Sequence, residues 1–476
     1  MTFGRLVALK KIRCDVSVTC GSDWDRAEER GGNATAPGPA IAPGAESIDT
    51  RAFAASLGGR AIDPRVTALV PGFDAPFFQA GLAGYSDAAM RIIARRHGCP
   101  FCVTEALLDR TLLAGGRGFA KADLGDLNDN VPGGEEDHPL ACQVMGSDSR
   151  EMAAACLKAA EQGKFGDKHY RMLAYAGRDL SFALDANGPP IDRKLVEFST
   201  EIEEINITNR LSAHIAKPAD LPTCATVNSE IDPTQAFQVI DVNLACPVKK
   251  ISTKARGGHW LAEPQGAIAI LEAVREAVPG HVPCTVKLRR SFDDTPEMAA
   301  NFEKIFDAAY RMGYSWATVH ARTVEQKYVG PSWWTFLKEL RQRNPDKIIF
   351  GSGDIWNVHD IFRMLAYTGV SGVSVARGCI GNPWIFRQAR EMIAGREALP
   401  PTVAQQRVVL DEHFRLLLAV CQRSRKAEQM ASRLIRKFGI RFAAHHPQRE
   451  EVRLRAIRVA SLEDWQELLQ DHYSAY

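Results

Sequence analysis

The sequence predicts an α/β fold of the (β/α)8 TIM-barrel class with a helical domain appended, and three observations carry that reading. Eight short apolar runs alternate with stretches of helical periodicity, the signature of repeated strand–helix units. Each run ends at a polar or glycine-flanked position, near Leu82, Glu105, Gln143, Asn243, Lys287, His320, Ser352 and Arg377. In a barrel these ends share one mouth, where such folds keep their chemistry. After the linker Leu399–Thr402 the strand signal stops and only helical pattern remains.

Residues 1–65 open the chain. From about Gly21 to Pro64 they are rich in Gly, Ala and Pro with few large apolar groups, so a flexible leader is expected, or a start codon set too early. The barrel is expected over 66–395. Its first helix is predicted over 87–97 with Ser86 as cap and Gly98 as stop. A second is predicted over 149–162, capped by Ser147 and ended by Gly163, and a third over 296–312, capped by Thr295 and ended by Gly313. A barrel unit averages about 31 residues, yet Gln143 and Asn243 stand 100 apart. Residues 164–236 are therefore read as an insertion, of a kind surface loops accept at little thermodynamic cost. Beyond 396 the predicted helices are 403–423, 427–438 and 462–472, the last capped by Ser461.

With 59 Lys and Arg against 57 Asp and Glu, the chain of 476 residues carries a formal charge of +2, so any polyanion site must be a local concentration of charge. Residues 401–476 are such a place, with 13 Lys and Arg against 9 Asp and Glu. No apolar run approaches the roughly 18 residues of a membrane helix. The 11 cysteines fit free thiols in a reducing cytoplasm better than a disulfide framework. The pair Cys99-Pro-Phe-Cys102 has no partner pair to complete a zinc site, so packing is its expected role and no metal is expected.

The strand ends bring together a thiol after Asn243 (Cys246-Pro247), a cation (Lys287), an imidazole (His320) and small residues at Gly351–Asp354 and Ala376–Gly378. Small residues before a helix N-terminus suit a phosphate. A thiol, a cation, an amide ring and a phosphate clamp at one mouth suit flavin mononucleotide (FMN) better than a nicotinamide.

At these residues the chain closely resembles the flavin-dependent tRNA-dihydrouridine synthases, the bacterial branch in particular. The resemblance is carried by Gly84-Tyr-Ser-Asp87, Thr104-Glu105, Gln143-Val-Met-Gly-Ser-Asp148, Asn243-x-x-Cys-Pro247 and Lys287-x-Arg289. His320-Ala-Arg-Thr323, Gly353-Asp-Ile355, Arg377-Gly378 and Gly381-Asn-Pro-Trp384 complete it. It implies an FMN barrel followed by a tRNA-binding helical domain (396–476), reducing the C5=C6 bond of uridines at the expense of NADPH or NADH. Carried over, Cys246 is the general acid and Asn243 lies near the base. Leu82, with Gly81 and Ala83, backs the flavin ring, Gln143 hydrogen-bonds it, and Lys287 and His320 contact it. Ser352, Gly353, Asp354, Ala376 and Arg377 hold the phosphate end, while Glu105 braces a loop. Lys249, Lys250, Arg256, Arg322, Arg436 and Lys437 are candidates for tRNA contacts. Gly81, Ser352 and Ala376 depart from the family's usual Pro, Asn and Gly. Competing readings are an FMN barrel acting on a small molecule, of dihydroorotate dehydrogenase or ene-reductase type, and a tRNA-binding protein without turnover. A monomer is expected.

Overall fold

A computed structural model of the chain describes residues 44–58, 62–113, 134–175, 237–247, 257–421 and 425–474. Its strands are β1 (Phe77–Gln79), β2 (Cys102–Val103), β3 (Leu107–Leu108), β4 (Leu140–Met145), β5 (Val239–Leu244), β6 (Cys284–Arg289), β7 (Trp316–His320), β8 (Ile349–Ser352) and β9 (Gly372–Val375). Every pairing is parallel. β1 pairs with β2 and β9, β2 pairs with β4, and β4 to β9 follow in order, so eight strands close into a barrel. β3 lies outside that ring, against the end of β4.

The period of two along each strand separates two cores. Ile240, Val242, Leu244, Cys284, Val286 and Leu288 face outward to the helices. Val239, Trp316 and Phe350 face inward with Phe78 and Phe101. These aromatics close the floor with Phe73, which stacks on Phe101 at 4.7 Å between ring centroids. Above them the inward positions turn polar: Gln143, Asp241, Thr285, Lys287 and Thr318.

The helices in chain order are α1 (Thr50–Leu57), α2 (Pro64–Leu69), α3 (Ala88–Arg96), α4 (Asp109–Leu113), α5 (Ser149–Ala160), α6 (Asp167–Tyr175), α7 (Pro264–Ala277), α8 (Pro296–Arg311), α9 (Trp334–Arg343), α10 (Val358–Thr368) and α11 (Trp384–Ile393). Thr295 caps α8 as expected. At α3 and α5 the cap is the following aspartate, Asp87 and Asp148, because a carboxylate accepts from the first-turn N–H groups more strongly than a hydroxyl does. Ser86 instead accepts from Leu82 N (2.8 Å) and donates to Ala80 O (3.2 Å), tying down the loop after β1. Gly98, Gly163 and Gly313 end their helices at φ of +88°, +66° and +85°.

The expected flexible leader is helical in part. Asp49 caps α1, which packs on α10 and α11, and Thr50 Oγ1 lies 2.7 Å from His359 Nδ1. Val66 of α2 joins the aromatic floor. Short helices rich in alanine escape a composition argument that looks for large apolar residues. The insertion likewise begins as ordered structure: α6 buries Tyr170, Ala174 and Tyr175, and Asp167 pairs with Lys158 Nζ at 2.6 Å. Residues 176–236 lie outside the described residues.

The C-terminal module comprises α12 (Val403–Cys421), α13 (Ala427–Phe442), α14 (Arg449–Arg458) and α15 (Leu462–Tyr473), with Ser461 and Asp464 forming a capping box on the last. The sequence reading missed α14, whose arginines and glutamates blur any apolar stripe. The module packs its α12 on α3, and Phe438 and Phe442 meet Tyr85 and Trp384 edge-on at 5.8 and 5.4 Å. No described helix is long and apolar enough to cross a membrane.

Candidate active site

Four strands build the mouth. Gln143 on β4, Asp241 and Asn243 on β5, Thr285 and Lys287 on β6 and His320 on β7 all take inward positions, and hydrogen bonds link the first four. Thr285 Oγ1 donates to Asp241 Oδ1 (2.7 Å) and Gln143 Nε2 to Asp241 Oδ2 (2.7 Å). Asn243 Nδ2 donates to Gln143 Oε1 (2.7 Å), and Ala245 N donates to Asn243 Oδ1 (2.9 Å). Burial pushes the Asp241 carboxyl up, against its two donors and Lys287. It pushes the Lys287 ammonium down, with Asp241 opposing the shift. Lys287 Nζ makes no hydrogen bond to a described residue.

His320 is held neutral. Burial comes first, and Arg289, Arg322, Lys287 and Arg377 add to it, taking the imidazole well below its ordinary range. Arg322 N donates to His320 Nδ1 (3.2 Å), which leaves the ring proton on Nε2. The mouth therefore offers donors: an ammonium, an imidazole N–H, and the second N–H of each amide.

Cys246 is half-buried on the loop after β5. Arg289, itself 3% exposed, holds that loop: Nε donates to Ala245 O (2.9 Å) while Nη1 donates to Thr323 O and Lys327 O (both 2.7 Å). Burial pulls this guanidinium down to about 10. The returning chain crosses over the thiol at Gly257-Gly258. A Cβ on Gly257 (φ +57°) would sit 2.9 Å from Cys246 Cβ, and Gly258 N donates to Cys246 O (3.0 Å). Lys249, Lys250 and Arg256 lie outside the described residues.

The loop after β1 flanks the mouth. Leu82 is half-buried and Ala83 exposed. Glu105 accepts from Gly84 N (2.7 Å), a loop brace. Gly81 needs its missing side chain, because a Cβ there would meet Thr104 O at 2.3 Å and Gln143 Oε1 at 3.3 Å. That backbone approach accounts for a glycine where the resemblance leads one to expect proline.

Beyond β8 and β9 lies a second cluster. Gly353 (φ +116°) and Asp354 (φ +57°) make a left-handed turn. Asp354 accepts twice from Arg322 Nη2 (both 2.7 Å) and once from Ser332 N (2.7 Å), with Arg377 Nη2 at 3.5 Å. The Asp354 side chain thus orients two arginines, and a carboxylate is no phosphate ligand. Arg322 departs from its expected role on RNA: it is buried and tied to Asp354 and to Gly330 O. Its Nη1 and the hydroxyl of Ser332 are buried without a hydrogen-bond partner among the described residues. Ser352 is buried, and Ala376 has φ −102°, not the positive φ that would call for the glycine expected there. Arg377 lies over the Trp356 ring (4.3 Å).

Lys437 also departs from its expected role. Its ammonium donates to Gly84 O and lies over Tyr85 (5.0 Å), so it docks the helical module on the barrel. Arg436 is half-buried and pairs with no described residue. An aromatic rim escaped the sequence reading: Tyr328 and Trp333, 44% and 48% exposed, carry Arg377 and Arg290 over their rings at 5.3 and 5.1 Å. Asp241 escaped too, although two polar residues alternating inside an apolar strand, Val-Ile-Asp-Val-Asn-Leu, were a readable signal. Cys99 and Cys102 are both buried, their sulfurs 3.9 Å apart. Among the described residues no group of three or more His, Cys, Asp or Glu could hold a metal.

Compared with known proteins, the sequence matches the family described as Dihydrouridine synthase (Dus) over residues 196–471, more than half of the chain. The chain belongs to the dihydrouridine synthase family. The match begins inside the insertion, so β1 to β4 precede it. A "Probable tRNA-dihydrouridine synthase" of Mycobacterium leprae is 33% identical over 183 residues, 38% of this chain and 47% of that protein. "tRNA-dihydrouridine synthase B" of Proteus vulgaris is 30% identical over 271 residues, 55% of this chain and 79% of the relative. The chain thus spans about half the length of the first relative and most of the second. Among solved structures, histamine dehydrogenase from Rhizobium sp. 4-9 aligns over 72% of this chain and 49% of its own, with 15% identity and a TM-score of 0.37.

Proposed function

We propose that this protein is a tRNA-dihydrouridine synthase that uses FMN as resident cofactor and NADPH or NADH as reductant. The observation that carries the reading is the convergence of N–H donors from Gln143, Asn243, Lys287 and His320 at a barrel mouth whose next loop bears Cys246. Donors without matching acceptors suit a ring that gains negative charge, as a reduced flavin and a uracil under attack both do.

The phosphate end of FMN fits the second cluster. Loops after the last two barrel strands are where such folds take phosphate. Ser332 Oγ and Arg322 Nη1 are buried donors in want of an acceptor there, and Arg377 stands beside them. Ser352 and Gly353 would line the approach, and Gly81, Leu82 and Ala83 would flank the ring.

Bound and reduced, the flavin would supply the hydride that uracil C6 accepts. Lys287 offsets the negative charge at the ring edge, and neutral His320 donates from Nε2 without adding a further cation. Cys246 gives its proton to C5, completing the addition across C5=C6. Asn243 holds Ala245, and through it the position of that thiol. The target base must leave its stack to reach the mouth. Tyr328 and Trp333 with their arginines offer stacking and phosphate contacts at the rim, and Arg433 and Arg436 add charge on α13. Such a rim favours RNA over a small-molecule substrate, and the free thiols and tRNA substrate suit the cytoplasm.

The test is direct. Purified protein should carry a flavin spectrum and release FMN, and with NADPH it should form dihydrouridine in tRNA lacking that base, read by mass spectrometry. Protein that refuses added FMN, or takes it up and leaves such tRNA unchanged, would overturn the proposal.

A further inference from the structure

Asp241 has no part in the chemistry just described, yet it is buried at 6% exposure directly below it. Both its oxygens are engaged, by Thr285 Oγ1 and by Gln143 Nε2. An ionised carboxylate only accepts, and the Ala245 N–H at the far end of the relay only donates. Two amides strung between an acceptor-only end and a donor-only end have one orientation in which every contact pairs N–H with O. Turning either one over sets O against O or N–H against N–H in a buried place, which costs about 1–3 kcal/mol.

We propose that Asp241 is a positioning residue that fixes the hydrogen-bond polarity of the mouth, making Gln143 and Asn243 offer N–H groups to the bound ring. The proposal rests on the flavin reading for its consequence, and on the relay alone for its structural basis. It names the property of the ligand that the relay selects: a ring presenting acceptors, carbonyl oxygens above all, along the edge that meets β4 and β5. A Cβ at Gly81 would lie 3.3 Å from Gln143 Oε1, so the loop after β1 passes close to the acceptor side of that amide.

The experiment is a double-mutant cycle in the full-length protein. In Asn243→Asp, Gln143 lies between two groups that only accept, and one contact is left as O against O. Asp241→Asn added to it supplies a donor on the other side, so Gln143 turns over and every contact pairs again in reverse, Thr285 still donating. Asp241→Ala removes the same charge without supplying a donor. By urea unfolding, Asn243→Asp should lower the folding constant about 5- to 150-fold. Asp241→Asn should restore most of that loss, and Asp241→Ala clearly less, because Gln143 is then free to turn towards the carboxylate introduced at 243 but its own carbonyl finds no donor.

The restored double variant then carries a carboxylate where an N–H faced the ring. Its bound flavin should be harder to reduce, by about 30 mV for each tenfold change in relative affinity. A purely structural role would leave the potential at its wild-type value. Equal rescue by Asn and Ala, no rescue by either, or an unshifted potential in the folded double variant would each overturn the proposal. Failure of the wild-type protein to take up FMN would instead remove the functional reading, while the unfolding cycle would still report on the relay.

Discussion

Arg289→Lys is a small change in charge and a large one in geometry. The guanidinium spans two loops, with Nε on Ala245 O and Nη1 on Thr323 O and Lys327 O, at 2.7 to 2.9 Å and 3% exposure. A lysine ammonium is a point donor on a flexible stem and serves one loop or the other. The loss is at least one hydrogen bond from a charged donor, about 1.5–3 kcal/mol, and the abandoned carbonyl stays buried. If that carbonyl is Ala245 O, the adjacent thiol moves, and a shift of about 1 Å at a reacting group can cost roughly 10²-fold in rate. Gln143 keeps Asp241 and Asn243 as partners, and Arg377 keeps Asp354 and the Trp356 ring. The variant should therefore lose about 1.5–3 kcal/mol of stability by urea unfolding. In rapid mixing, NADPH should bleach its flavin at close to the wild-type rate, while dihydrouridine per bound tRNA appears roughly 10²-fold more slowly. A product rate that falls no further than flavin reduction would refute the link from Arg289 through Ala245 to Cys246.

Cys246→Ala should leave flavin reduction intact and slow dihydrouridine formation by about 10²–10⁴-fold, the usual range for a lost general acid, as followed by mass spectrometry of the tRNA. His413, buried between α12 and α13 with neither ring nitrogen hydrogen-bonded to a described residue, is held down to about 3 by burial and by Lys437. Between pH 6.5 and 3 the unfolded chain binds the extra proton, so stability is lost as the pH is lowered, by up to about 1.4 kcal/mol per unit. His413→Leu should flatten that acid slope in chemical unfolding at a series of pH values, with little change at pH 7. Arg433→Glu together with Arg436→Glu should weaken tRNA binding and reduce its salt slope by about one per lost phosphate contact, with flavin content unchanged.

What the sequence reveals here is periodic and local. Apolar alternation places the eight strands, and His320 and Ser352 stand at the very ends of β7 and β8. Lys287, Gln143 and Asn243 are legible for the same reason, since polar residues in buried strands have few places to point. What stays hidden depends on pairs far apart in the chain. Arg322 looks like a surface arginine in a loop until Asp354, 32 residues on, is seen to receive its Nη2 between both carboxylate oxygens. Lys437 reads as free positive charge until Gly84, 353 residues earlier, claims its ammonium. Gly81 reads as an aberration until the carbonyl of Thr104 is found where a side chain would go. Counting charges gives a basic module and leaves open which of its cations are already spent.

That last distinction changes how the helical module works. Phe438 and Phe442 are buried against the barrel, and Trp384 is fully covered beneath them, so the module supplies part of the barrel's own core. Removing residues 403–476 would expose that surface and free the loop that flanks the ring, so truncation tests folding before it tests RNA affinity. The docking cation and the unspent ones share a helix: Arg433 lies one turn before Lys437, and Arg436 is its neighbour. Phosphates drawn to Arg433 and Arg436 would therefore press on the helix whose next turn grips Gly84. Gly84 is also held by Glu105, beside the strand end of β2. The loop after β1 thus joins α13 to the barrel mouth, so the fit of the mouth depends on the seating of α13 as well as on the barrel strands.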